Sequence, residues 1–138
     1  MGLGYVEAFA VYGAKLTNPQ WSVSAFGSDG ALVLSLWENL LARGAEKGTM
    51  VYRDKLSEWL GNPLGRAELH EHLRVAQAKN LPIRLVIAHP ATLKDREMVG
   101  RVADESLIKK TFSARVDVEG SLESLDGDAL FIVFRKAT

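Results

Sequence analysis

The sequence predicts a single α+β domain over residues 1–138, with about six largely antiparallel strands, a sheet that can curl toward a barrel, and one main helix at about 66–79. Three observations predict it. Short runs of aromatic and β-branched residues recur between turn residues. An Asp-Gly pair, Asp29-Gly30, separates two apolar runs, a strong short-range hairpin signal. One stretch free of Gly and Pro, Arg66 to Lys79, places Leu69, Leu73 and Ala76 at helical spacing.

Taken in order, Tyr5 to Tyr12 is rich in aromatic and β-branched residues and stops at Gly13, which predicts a strand. A turn follows at Thr17-Asn18-Pro19. Trp21 to Phe26 and Ala31 to Trp37 then form the expected hairpin. Glu38 to Gly48 holds two glycines and predicts at most a short helix, and Tyr52 to Leu60 carries a weak helical pattern closed by Gly61-Asn62-Pro63. The main helix ends at Asn80 and Pro82. Ile83 to Ala88 predicts a buried strand, and the charged segment from there to Lys110 is ambiguous between helix and loop. Phe112 to Val118 alternates apolar with polar residues, the period of a half-exposed strand, and Ala129 to Phe134 predicts the last strand. The residues between these two are rich in Gly, Ser, Asp and Glu and predict a loop.

Composition bounds the function classes. A chain of 138 residues fits one domain, which buries roughly 68% of its unfolded surface. The absence of cysteine excludes disulfide scaffolds, cysteine-ligated zinc or iron–sulfur sites and thiol nucleophiles. No apolar stretch approaches the roughly 18 residues of a membrane span, so no membrane partner is expected, and the N-terminus lacks a cationic region before an apolar core, which predicts a cytoplasmic protein. The formal net charge is zero, which argues against bulk polyanion binding, yet residues 1–38 carry −2, residues 39–110 carry +4 and residues 111–138 carry −2. That basic middle suits a specific anionic ligand, or is ordinary surface charge.

The hairpin has two chemically different faces if Asp29 and Gly30 form a two-residue turn. Ala25 then pairs with Leu34 and Val23 with Leu36 on an apolar face, while Ser24 pairs with Ser35 and Ser22 with Trp37 on the other. Trp37 supplies stacking area, and Ser22, Ser24 and Ser35 supply rotatable hydroxyls, which suits a planar polar ligand such as a base. Lys15, Arg53, Arg66 and Arg74 are the expected phosphate contacts; Arg66, His70 and Arg74 share one face of the main helix, where Glu68 and Glu71 lie close enough to balance them. The leading expectation is therefore a non-enzymatic domain binding nucleic acid or a nucleotide. A second is a protein-interaction module or obligate homodimer that uses Trp21, Trp59 and Phe26. A third is a small hydrolase or transferase with His89, at the end of a strand and before Pro90, as general base.

Neither metal nor cofactor is expected. His70 and His72 point about 200° apart on a helix and cannot chelate one ion, and the acids from Asp117 to Asp128 do not have EF-hand spacing. There is no P-loop, dinucleotide fingerprint or G-x-S-x-G elbow.

The stretch Val11-Tyr12-Gly13-Ala14-Lys15-Leu16-Thr17-Asn18-Pro19-Gln20-Trp21-Ser22-Val23-Ser24-Ala25 resembles the opening of small uncharacterised proteins carried by phages and other bacterial mobile elements. The resemblance covers about a tenth of the chain and brings no activity with it. It implies only that defence, counter-defence or nucleic-acid handling is the cellular setting to expect.

Overall fold

A computed structural model describes residues 2–137 as a mixed α+β fold. The order is α1 (Tyr5–Ala10), β1 (Ser24–Phe26), β2 (Leu32–Trp37), β3 (Ala42–Arg43), β4 (Met50–Lys55), α2 (Pro63–Lys79), β5 (Ile83–Pro90), α3 (Leu93–Met98), β6 (Lys110–Ala114), β7 (Val118–Asp126) and β8 (Ala129–Lys136). Single 3₁₀ turns lie at Glu38–Leu40, Leu56–Glu58 and Glu105–Leu107. The strands form one sheet in the order β1-β2-β5-β7-β8-β4-β3, with β6 lying along the other half of β5. Among the described residues, only the β2–β5 pair is parallel. The sheet is not closed, so β1 and β3 remain its edges.

The helix at the centre of the chain forms for reasons visible locally. Asn62 caps α2 by accepting the Leu64 N–H at 2.8 Å, Pro63 fills the first helical position, and Asn80 ends the helix in the left-handed region at φ 53°. Leu69, Leu73 and Ala76 bury the helix against one face of the sheet, formed by Leu32, Leu34, Leu36, Ile83, Leu85, Ile87, Ile132 and Phe134. Gly65 allows the close approach: a Cβ there would stand 2.2 Å from the Trp21 carbonyl oxygen. The other face of the sheet holds a smaller core of Ala8, Phe9, Ala14, Leu16, Ala25, Val33 and Val86.

Several expectations need correction. Residues 5–12 are not a strand: Tyr5, Ala8, Phe9 and Tyr12 fall at helical spacing and turn together onto the smaller core, while Val6, Glu7, Ala10 and Val11 face solvent. Burial of that stripe outweighs the β-propensity of its members. Six strands become eight: the one at 5–12 is lost to α1, the two weak helical patterns give way to β3 and β4, and the strand expected at 112–118 divides into β6 and β7. Met50 and Tyr52 enter the main core as β4 pairs along its whole length with β8. The acidic segment expected as a loop is mostly β7, closed by a turn at Gly127 with φ 62°.

The hairpin register differs by one residue. Ser24 pairs with Leu34, Ala25 with Val33 and Phe26 with Leu32. Gly27 N–H donates to the Ala31 carbonyl at 2.8 Å, so the loop is longer than the two-residue turn, and Asp29 Oδ1 accepts the Ala31 N–H at 3.0 Å. A one-residue slip reverses the relation of the two strands' faces. Ser24 therefore shares a face with Leu34, under α2, and not with Ser35 and Trp37.

Residues 112–118 are also divided, into β6 and β7. Val86 pairs with Ala114 but Ile83 with Gly120, so three steps along β5 correspond to six along its partner, and Arg115-Val116-Asp117 bulge out between them.

Candidate functional site

Strand pairing assembles one polar cluster at the carboxyl ends of the two parallel strands. Trp37 lies beside Ala88 in the β2–β5 ladder, which brings the next residues, Glu38 and His89, level with one another. In the β5–β6 ladder His89 faces Thr111 and Ile87 faces Ser113, so Ser113 is the diagonal neighbour of His89 on the same face. His89 Nδ1 lies 2.6 Å from Glu38 Oε2, and His89 Nε2 lies 2.7 Å from Ser113 Oγ. With Glu38 ionised, the consistent proton assignment has Nδ1–H donating to the carboxylate and Nε2 accepting from the serine hydroxyl.

A helix of six residues steadies this chain of hydrogen bonds. Thr92 Oγ1 accepts the Asp95 N–H at 3.1 Å and caps α3, and the covered Asp95 carboxylate accepts the Thr92 hydroxyl at 2.7 Å and the Lys109 N–H at 3.0 Å. α3 so held presents Arg96, whose Nη2 donates to Glu38 Oε1 at 2.8 Å. The Arg96 guanidinium, with His89 second, holds the Glu38 carboxyl below its ordinary range.

Beside the cluster lies an open cleft of about 320 Å³. Glu38, Ile87 and His89 form one side, Leu41, Ala42, Arg43, Thr49 and Met50 of the β3–β4 hairpin the other, and Arg115 of the bulge joins them. β3 and β4 stand on the far side of β7 and β8 in the sheet order, so their meeting with β5 across a cleft reflects the curl of the sheet. Arg115 gives Nε and Nη2 to Asp117 at 2.8 and 2.9 Å. Arg43 is exposed and has no side-chain hydrogen bond or ion pair among the described residues.

The residues expected from the sequence are placed elsewhere. Ser22 and Ser24 are 1% and 0% exposed, and their hydroxyls are engaged by the Asn18 N–H and by His72 Nδ1. Ser35 is half-buried beside the Tyr5 hydroxyl. Trp37 is half-buried, its Nε1–H donating to Glu105 Oε2 at 2.6 Å, with Lys110 Nζ 5.7 Å from its ring centre. The four expected phosphate contacts do not converge. Lys15 is exposed on the segment after α1, and Arg53 lies over the Phe131 ring on the sheet face away from α2. Arg66 is half-buried near the start of α2, and Arg74 meets Glu71 at 3.8 Å. Of the side chains expected at an interface, Trp59 donates to Asp54 at 2.6 Å, Phe26 packs edge-on against His72, and Trp21 is half-buried.

His89 is the one candidate that the structure places in the cluster; Glu38, Ser113, Arg96, Arg43 and Arg115 were not singled out. Nothing local marks them: Glu38 and Ser113 reach His89 through ladders between strands distant in sequence, Arg96 comes from α3, and Arg43 and Arg115 reach the cleft from a hairpin and a bulge. Compared with protein-family models, with curated proteins and with solved structures, the chain finds no match.

Proposed function

We propose that the chain is a binding domain for a nucleotide, free or within a nucleic acid strand, and that the ligand sits in the cleft between the β3–β4 hairpin and β5. The observation that carries this reading is the composition of the cleft. Leu41, Met50 and Ile87 offer apolar wall for the face of a planar ring, and the lone pairs that the Glu38 carboxylate keeps beyond its bonds to His89 and Arg96 offer acceptors for its edge. Arg43, with no acidic partner among the described residues, and Arg115 stand where a phosphate would be neutralised. Its volume of about 320 Å³ lies at the lower end of the roughly 300–1,000 Å³ range of small-molecule sites. This keeps the class of ligand expected from the sequence and moves it from the hairpin face, where two of the three serines are buried, to the cleft.

Tryptophan fluorescence, with Trp37 next to Glu38 as the reporter, tests the reading during titration with mononucleotides and short single- and double-stranded DNA and RNA at two salt concentrations. Saturable binding that weakens with salt is expected. Arg43→Gln should weaken it about equally for every sequence and reduce the salt slope by about one. Absence of saturable binding to all of these ligands, by fluorescence and by calorimetry, would overturn the proposal.

A further inference from the structure

We infer that Ser113 is an activated nucleophile, with His89 as its general base and Glu38 as the residue that positions His89, and that the cleft can carry acyl transfer from a small carboxylic ester to water. The inference goes beyond ligand binding and does not depend on which ligand the cleft holds. It stands on geometry: a hydroxyl, an imidazole and a carboxylate joined in sequence at 2.7 and 2.6 Å, next to an open cleft that His89 lines. A serine hydroxyl is a poor nucleophile until a base takes its proton, and the base works when its other ring nitrogen is held by an acceptor that fixes tautomer and orientation. Arg96 supplies the further restraint, holding the second oxygen of Glu38 so that one oxygen faces the ring.

The step balances without an outside oxidant or cofactor. As Ser113 Oγ forms a bond to the ester carbonyl carbon, its proton passes to His89 Nε2. The alkoxide leaving group departs with that proton when the carbon–oxygen bond breaks. Water then attacks the acyl-serine, gives its proton to the same nitrogen, and Ser113 regains it as the acid is released. Arg115 also lines the cleft, and with Nε and Nη2 committed to Asp117 it retains Nη1 for the negative charge that develops on the carbonyl oxygen.

A fluorophosphonate probe tests the inference without knowledge of the substrate, because an activated serine forms an oxygen–phosphorus bond as fluoride leaves. Intact-mass and peptide mass spectrometry should find one adduct, at Ser113. His89→Asn should slow labelling by roughly 100-fold or more. Glu38→Gln, nearly isosteric, should slow it at least about tenfold. Glu38→Asp, which keeps the carboxylate, should recover part of the labelling rate lost in Glu38→Gln, a rescue that a residue needed only for folding would not produce. Circular dichroism and thermal melts confirm that each variant is folded before its rate is counted. No adduct on the unmodified chain, an adduct confined to another serine, or labelling of folded His89→Asn at the original rate would each overturn the inference. The nucleotide titration reads the binding proposal separately.

Discussion

Two serine–histidine hydrogen bonds of nearly equal length lie among the described residues, and they sit in opposite circumstances. Ser24 Oγ meets His72 Nδ1 at 2.8 Å where α2 crosses β1, with Ser24 wholly buried and the Phe26 ring edge-on to the imidazole at 4.7 Å. Ser113 Oγ meets His89 Nε2 at 2.7 Å beside an open cleft, and the other ring nitrogen of His89 faces a carboxylate. Burial pushes the proton affinity of His72 down, and Glu68 and Glu71 oppose that only through their fields, not by a hydrogen bond to the ring. The same two side chains thus peg helix to sheet in one place and, in the other, form the pair proposed above as base and nucleophile. The difference lies in what the second ring nitrogen meets and in whether a ligand can reach the pair.

The largest expected effect separates the two pairs through the backbone. Gly65→Ala drives a methyl against the Trp21 carbonyl and should cost about 3 kcal/mol in a denaturant melt, by lifting α2 from the Ser24 side. In protein that remains folded, it should leave fluorophosphonate labelling of Ser113 unchanged; equal loss of both would show that the regions are not independent.

Next come the hydroxyls themselves. Ser24→Ala leaves a buried imidazole nitrogen without its partner and should cost about 2 kcal/mol, whereas Ser113→Ala, half-buried beside an open cleft, should cost about 0.5 kcal/mol. Thermal denaturation of the two variants side by side gives the comparison. A larger loss for Ser113→Ala would reverse the roles assigned to the pairs.

The pH dependence of stability sharpens the contrast. His72 binds its proton less tightly in the folded chain than at its ordinary value of 6.5, so the unfolded state takes up more protons and stability falls as pH drops through and below that value. Glu38 is depressed below its ordinary 4.5, so its contribution is full above that value and is lost as pH falls below it through the folded value. Melts from neutral to acid pH should show both steps, with His72→Gln flattening the upper and Glu38→Gln the lower. The smallest effect belongs to Arg74→Gln, whose exposed pair with Glu71 should contribute less than about 0.5 kcal/mol.

Much of the frame is legible in the sequence. α2 is written in its cap, its first-position proline and the spacing of Leu69, Leu73 and Ala76; β2, β5 and β8 are written in apolar runs bounded by turns. The N-terminal helix is not legible in the sequence, because Tyr5, Phe9 and Tyr12 carry strong β-propensity and also share one helical face, and six helical residues are too few for either signal to dominate. Of the candidate site, His89 was legible from its place at a strand end.

By itself the sequence determined an α+β chain with one long helix on a sheet, no cysteine chemistry and a local excess of positive charge in the middle. Only the tertiary structure decided the hairpin register, the division of one expected strand into β6 and β7, and the meeting of Glu38, His89 and Ser113. The physical reason is range. Caps, turns and periodicity act between residues a few positions apart, whereas a ladder joins residues 51 positions apart in one pair and 24 in the other, and its register depends on which faces the whole core buries.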